Sequence, residues 1–174
     1  MKSNFYNNPI KLVWLASANL LPNYLFVLWI LIIVFLFLGT VIFDFISFDT
    51  FSIASYFSAS LTGLTFTLAL FTAEKNVFKE KELKILANYQ GKNDKYKGQA
   101  LIELLGPFVF TALLFLITGT LSLIVPFIKL ELSSDTTILL IQGYIDILLL
   151  GLFSLFNLVM IMLNDVYHSV NRDT

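Results

Sequence analysis

Asp146 is the residue whose type and place could most readily do chemistry, because it is a carboxyl group set in a run of leucines and isoleucines. An ionised carboxylate at the centre of a membrane span costs about 2.5 to 3.5 kcal/mol on insertion scales, so the group must face protein or water, or hold a proton. Gln142, Asp146, Phe153, Asn157 and Asn164 follow one another at steps of four, seven, four and seven, which places the polar residues on one heptad seam of a helix. Such a seam has a structural reading, hydrogen-bonded glue between helices, and functional ones, an ion or proton path or a titratable switch.

A second constellation is made of hydroxyls and amides. Ser55, Ser58, Thr62, Thr65, Ala69, Thr72 and Asn76 run at alternating steps of three and four, so one whole face of a helix is polar or small. Lipid tails offer that face no partner. Ser and Thr can bond back to a carbonyl one turn earlier, and small residues such as Ala59 and Gly63 let helices approach, so dry packing is one reading. The length of the stripe favours an oligomer axis or the lining of a pore. A shorter run, Thr111, Thr118 and Ser122, marks a later helix.

Other candidates are poorer. Glu103 reads as a helix-start charge, and His168 lies in a polar tail beside Asp165 and Tyr167. With no cysteine and a single histidine, the chain has no thiol chemistry and no histidine-rich metal set. Nothing follows the pattern of a phosphate loop, a paired-carboxylate site or a zincin motif. The reading is of a non-enzyme without a cofactor.

The elements that position these residues follow from composition. The chain has 174 residues, 57% apolar with 18 Phe and only 13% charged, which is the balance of an integral membrane protein. Four apolar runs, 24–43, 51–73, 104–128 and 137–163, are each long enough to cross a hydrocarbon core of about 30 Å. Residues 10–21 are too short to span and carry Lys11, Trp14 and Asn19, which predicts a helix lying at the membrane interface. Ala16-Ser17-Ala18 matches a signal-cleavage pattern, but the apolar run before it is short and broken by Lys11, so the N-terminus is expected to be kept. Gly106 and Pro107 fall at the start of the third run, where proline costs little.

Charge gives the expected orientation. Lys2, Lys11, Lys75, Lys79, Lys81, Lys84, Lys92, Lys95, Lys97 and Arg172 fall on one side of the spans, and Lys129 falls on the other. The positive-inside rule puts both termini and the central loop in the cytoplasm. After Ala73 no Pro or Gly occurs until Gly91, so the second span is expected to continue through 74–90 as a cytosolic helix with a ragged apolar side. Its lysines, with Lys92, Lys95 and Lys97, form a basic surface that suits anionic lipid headgroups or a cytosolic protein partner. No nucleic-acid surface is implied.

The predicted fold is therefore all-α: an integral membrane four-helix bundle with an N-terminal interfacial helix and a cytosolic extension of the second transmembrane helix. The first span, with its Phe, Trp, Leu and Ile surface, suits lipid, which turns helices two, three and four inward. A single subunit has little interior for two separate polar seams, which predicts a homo-oligomer. Two function classes remain, a sensor or anchor for a cytosolic effector and an ion channel lined by the hydroxyl face and the Gln142/Asp146 seam.

In layout, through four spans, cytosolic termini and a long second helix over 51–90, the chain resembles KwaA, the small membrane subunit of Kiwa anti-phage systems. The resemblance implies a tetrameric component of the bacterial inner membrane that responds to phage attachment and works with a cytosolic, DNA-associated partner. It carries over no site residue.

Overall fold

The computed structural model describes residues 8–77, 80–92, 94–129 and 133–172. Among them the secondary structure is entirely helical, with six α-helices: α1 Pro9–Leu15, α2 Asn23–Phe37, α3 Phe57–Val77, α4 Glu80–Asn88, α5 Gln99–Ile124 and α6 Ser134–Arg172. Four stretches are long and apolar enough to cross a membrane: Asn23–Ile42, Ile53–Asn76, Gln99–Phe127 and Ser134–Tyr167.

Local chemistry sets the ends of these helices. Asn8 caps α1, its side-chain oxygen accepting from the Ile10 and Lys11 amides at 3.0 and 3.2 Å, with Pro9 preorganised at the first position. At the far end of α2 the chain tightens into a π-helical turn, Leu38–Ile42, and reverses through Asp44, whose φ of 51° an aspartate tolerates better than a branched residue. A 3-10 turn, Ile53–Tyr56, leads into α3. Gly98, at φ 80°, joins the α4 loop to α5, and a Cβ there would lie 2.8 Å from the Ala87 carbonyl oxygen, so no other residue fits.

Helix α5 is the centre of the arrangement. It packs against α3 and α6, which also pack against each other; α1 and α4 cover its first turns, and α2 lies outside against α6. Leu12, Ala16 and Ile102 are buried together where α1 crosses α5, and the approach is close enough that a Cβ on Gly106 would overlap the Ala16 side chain. Farther along, the Phe115 ring is wedged between Gly63 of α3 and Gly151 of α6; a Cβ on Gly63 would run into the ring, and one on Gly151 would lie 3.3 Å from it. Glycine is what lets three helices close around one phenylalanine.

Helix α5 starts at Gln99, several residues before the apolar run. Gln99 donates to Glu103 across one turn at 2.7 Å, and this polar turn propagates the helix ahead of the hydrophobic stretch. Pro107 is accordingly inside the helix and not at its start, and the Glu103 carbonyl has no intrahelical amide to accept from. The 39 residues of α6 span about 58 Å at about 1.5 Å per residue, roughly twice the thickness of a bilayer's hydrocarbon core.

The stretch expected as a continuous extension over 74–90 is occupied by the end of α3 and by α4, with residues 78 and 79, including Lys79, outside the described residues.

Candidate functional site

Three polar constellations run along the spans, and they differ in what they touch. The first is a ladder on α5. Ser60 donates to Thr118 at 3.0 Å, Thr111 and Ser154 are 2.6 Å apart, and Ser122 and the Tyr144 hydroxyl are 2.6 Å apart. Thr111, Thr118 and Ser122 each also donate to a carbonyl one turn earlier, those of Pro107, Leu114 and Thr118. A hydroxyl has one hydrogen to give, so Ser154 donates to Thr111 and Tyr144 donates to Ser122. Every hydroxyl donor in the ladder is thus spent, and Ser60, Thr111, Thr118 and Ser154 have no exposed surface. This line is dry glue holding α3 and α6 to α5.

The second is the predicted stripe of α3. Ser55, Ser58, Thr62, Thr65, Ala69, Thr72 and Asn76 all lie on the exposed side of the helix. Thr65 and Thr72 satisfy themselves on the Leu61 and Leu68 carbonyls, each at 2.9 Å. Between the hydroxyls stand exposed apolar side chains, Leu61, Phe66 and Leu68. The face that turns inward is a neighbouring one, Ser60, Gly63, Thr67 and Glu74, which has the same three-and-four spacing and small residues.

The third is the seam of α6, and it lies inside the chain. Asn157 donates to the Leu20 carbonyl at 3.3 Å, and Gln142 reaches toward the Ile33 carbonyl at 3.5 Å. The Trp29 indole donates to the backbone carbonyl of Asp146 at 3.0 Å. Asp146 itself is half-buried; its Oδ1 and the Oε1 of Gln142, one helical turn away, are buried without a described partner. Asn164 is exposed and makes none of these bonds. The seam therefore fastens α2 and the segment before it to α6. Two expectations change: the first span is not wholly given to lipid, since Trp29 turns inward, and one subunit does house a polar seam, so the argument for an oligomer rests on the α3 stripe alone.

At the lysine-rich end, Lys75, Lys81, Lys84, Lys92, Lys95 and Lys97 are all exposed. The Tyr96 hydroxyl donates to the Leu15 carbonyl at 3.3 Å, tying the loop before α5 to α1. Burial pushes the Tyr96 phenol above its ordinary range, and the negative charges of Glu103 and Asp94 add to the effect. Glu74 is the residue that sequence reasoning missed. It looks like the first charge of a solvated extension, yet it is 2% exposed, and neither carboxylate oxygen has a described hydrogen-bond donor. Its register with Ser60, Gly63 and Thr67 was the available signal. Among the described residues no three acidic or histidine side chains are grouped to hold a metal ion.

No protein-family model, no curated protein and no solved structure matches the chain.

Proposed function

We propose that this chain is a non-enzymatic, oligomeric, multi-pass protein of the bacterial inner membrane that acts as a sensor or anchor for a cytosolic effector, in the manner of a Kiwa-type defence subunit. The four long helices form a bundle, α1 lies in the interface with Trp14 and Ile10 outward, and the lysine-rich end is cytoplasmic. The observation that carries the reading is the outward hydroxyl stripe of α3. The chain's interior hydroxyls are already paired, so a second copy is the partner that supplies this face with protein instead of lipid. The exposed lysines and the α4 surface, with Ile85 and Tyr89 outward, then offer a basic and apolar docking face repeated around the assembly.

A channel is the second reading, favoured by the length of the stripe from Ser55 to Asn76, which exceeds what one close crossing uses. In that case the stripe lines a hydrated path between copies, because the interior ladder is saturated and dry. Ion flux in liposomes containing this protein alone separates the two. The anchor reading expects no conductance above empty vesicles; robust conductance altered by Thr65→Leu overturns it in favour of the channel.

A further inference from the structure

We propose that a hollow sunk into the end of the bundle opposite the lysines is a binding site for an uncharged polyhydroxyl ligand the size of one sugar ring, taken from the non-cytoplasmic side. The hollow, of about 270 Å³, forms where the link between α2 and α3 meets Ile145 of α6. Its polar side consists of the hydroxyls of Ser47, Thr50, Ser52 and Ser55, and its apolar side of the rings of Phe48, Phe51 and Tyr56. The rings hold one another in place. Phe51 stacks on Tyr56 with centroids 5.3 Å apart and meets Phe48 edge-on at 6.3 Å. Both Phe51 and Tyr56 stand edge-on at 6.0 Å to Tyr144, whose hydroxyl is fixed on Ser122. The hydroxyls, by contrast, are free to bond. Ser47 accepts from the Asp49 amide at 3.1 Å and keeps its own hydrogen to give, and those of Thr50, Ser52, Ser55 and Tyr56 make no hydrogen bond to a described residue.

Tyr144 and Ser122 mark the level of the hollow, and the bundle continues outward past it. From Tyr144 back to Ser134, α6 extends about 15 Å at about 1.5 Å per residue. Leu123, Ile124, Phe127, Leu139 and Leu140 are exposed over that stretch, a surface that belongs in hydrocarbon. Residues 43–52, which form no helix or strand, therefore lie partly at hydrocarbon depth. Irregular backbone persists there only where protein covers it or water fills a cavity beside it. Ser47, Thr50 and Ser52 are exposed, so the hollow holds water that ligand hydroxyls can replace. Its depth rests on the reading of the four long helices as spans; the anchor and channel readings do not bear on it. The lining chooses the ligand. No charged side chain is part of it, and Asp49 on the same link is exposed, so neither an anion nor an ammonium ion finds a counter-charge in the wall. A wholly apolar ligand would strand the hydroxyls. A sugar ring lays its C–H face on the aromatic side and gives its hydroxyls to the serines and threonine.

Saturation-transfer difference NMR of the full-length protein in lipid nanodiscs tests the ligand, with the methyl glycosides of glucose, galactose and N-acetylglucosamine as neutral probes and that of glucuronate as the charged one. At least one neutral glycoside should receive saturation at its ring protons, and the glucuronate should not. Thr50→Val and Ser55→Ala remove hydroxyls that bond no other described residue, so the fold should survive, and each should weaken binding by roughly 2- to 10-fold, the contribution of one neutral hydrogen bond. No signal from any neutral glycoside, a signal from the glucuronate alone, or unchanged binding when both substitutions are combined overturns the proposal. Cysteine accessibility tests the position, since the native chain has no cysteine. In the same nanodiscs Ser52→Cys should react with a water-soluble, membrane-impermeant maleimide, and excess of the bound glycoside should slow the reaction. Leu140→Cys, about 6 Å outward of Tyr144 along α6 but on a lipid-facing surface, should react roughly tenfold more slowly, because apolar surroundings suppress the thiolate. An unreactive Ser52→Cys means a dry contact with a second copy and overturns the proposal. Equal reaction at both positions overturns the sunken position and traces the failure to where the spans sit and not to the ligand.

Discussion

The indole nitrogen of Trp29 donates to the backbone carbonyl of Asp146, 117 residues later in the chain, at 3.0 Å. The bond fixes α2, which has few buried side chains of its own, to the middle of α6. It also explains a tryptophan in a helix most of whose large side chains face outward. Trp29→Phe keeps most of the ring and removes the donor, and should cost about 1 kcal/mol. Gln142→Leu should cost less or even stabilise, because the Gln142 bond to Ile33 is long at 3.5 Å and its Oε1 is an orphan acceptor. Thermal melts of the two variants in mild detergent test the order; a larger loss for Gln142→Leu would contradict it.

Phe115 occupies a notch that exists only because Gly63 has no side chain. Gly63→Ala should destabilise by about 1 to 3 kcal/mol, the usual cost of overpacking a filled core. Gly151→Ala, whose new methyl would sit 3.3 Å from the same ring, should cost less. Adding Phe115→Leu to Gly63→Ala should recover part of the loss, a non-additivity that separates ring overlap from helix propensity. Unfolding of the single and double variants measures it.

These contacts show where sequence reading stops. The spans are legible because an uninterrupted apolar run is a property of composition, and the Thr111, Thr118 and Ser122 run is legible as periodicity. The choice between the two faces of α3 was not, since Ser55 to Asn76 and Ser60 to Glu74 share spacing and residue types. It is decided by the fit of Phe115 against Gly63, a tertiary complementarity with no local signature. The seam of Gln142, Asp146 and Asn157 was readable, but its partners are the carbonyls of Leu20 and Ile33 and the Trp29 indole, and backbone acceptors have no residue type to recognise. Helix α5 begins before its apolar run because hydropathy reports only the apolar stretch, whereas Gln99 and Glu103 extend the helix ahead of it.

Tyr96 gives a pH dependence outside the spans. Burial, then Glu103 and Asp94, raise its pKa, so its hydroxyl stays protonated and bonded to Leu15 at pH values where a free tyrosine ionises. A group whose folded pKa is raised contributes stability that is full below the unfolded value, about 10, and is lost as pH rises through the folded one. The docking of α1 should therefore hold at neutral pH and weaken only in strongly alkaline solution. Ultraviolet titration should show a late tyrosinate step that is missing in Tyr96→Phe; a step at the ordinary tyrosine position would contradict the assignment.

Thr62 tests the assembly separately from the fold. Its side chain is exposed and makes no described bond within the chain, so Thr62→Leu should change the stability of the isolated protomer by under about 0.5 kcal/mol. If copies meet along the α3 stripe, the same substitution places a bulky side chain in a close crossing and should shift the protein toward smaller species in native mass spectrometry. Phe35→Leu, on an exposed face of α2, should do neither. The chain has no cysteine, which allows a second readout. A single cysteine replacing Thr62 should oxidise to covalent dimers in the membrane, because a disulfide requires Cα atoms within about 7 Å of each other, whereas a cysteine replacing Phe35 should remain free. Equal cross-linking at the two positions, or a monomer in mild detergent, would remove the α3 stripe as the meeting face and with it the main support for an oligomer.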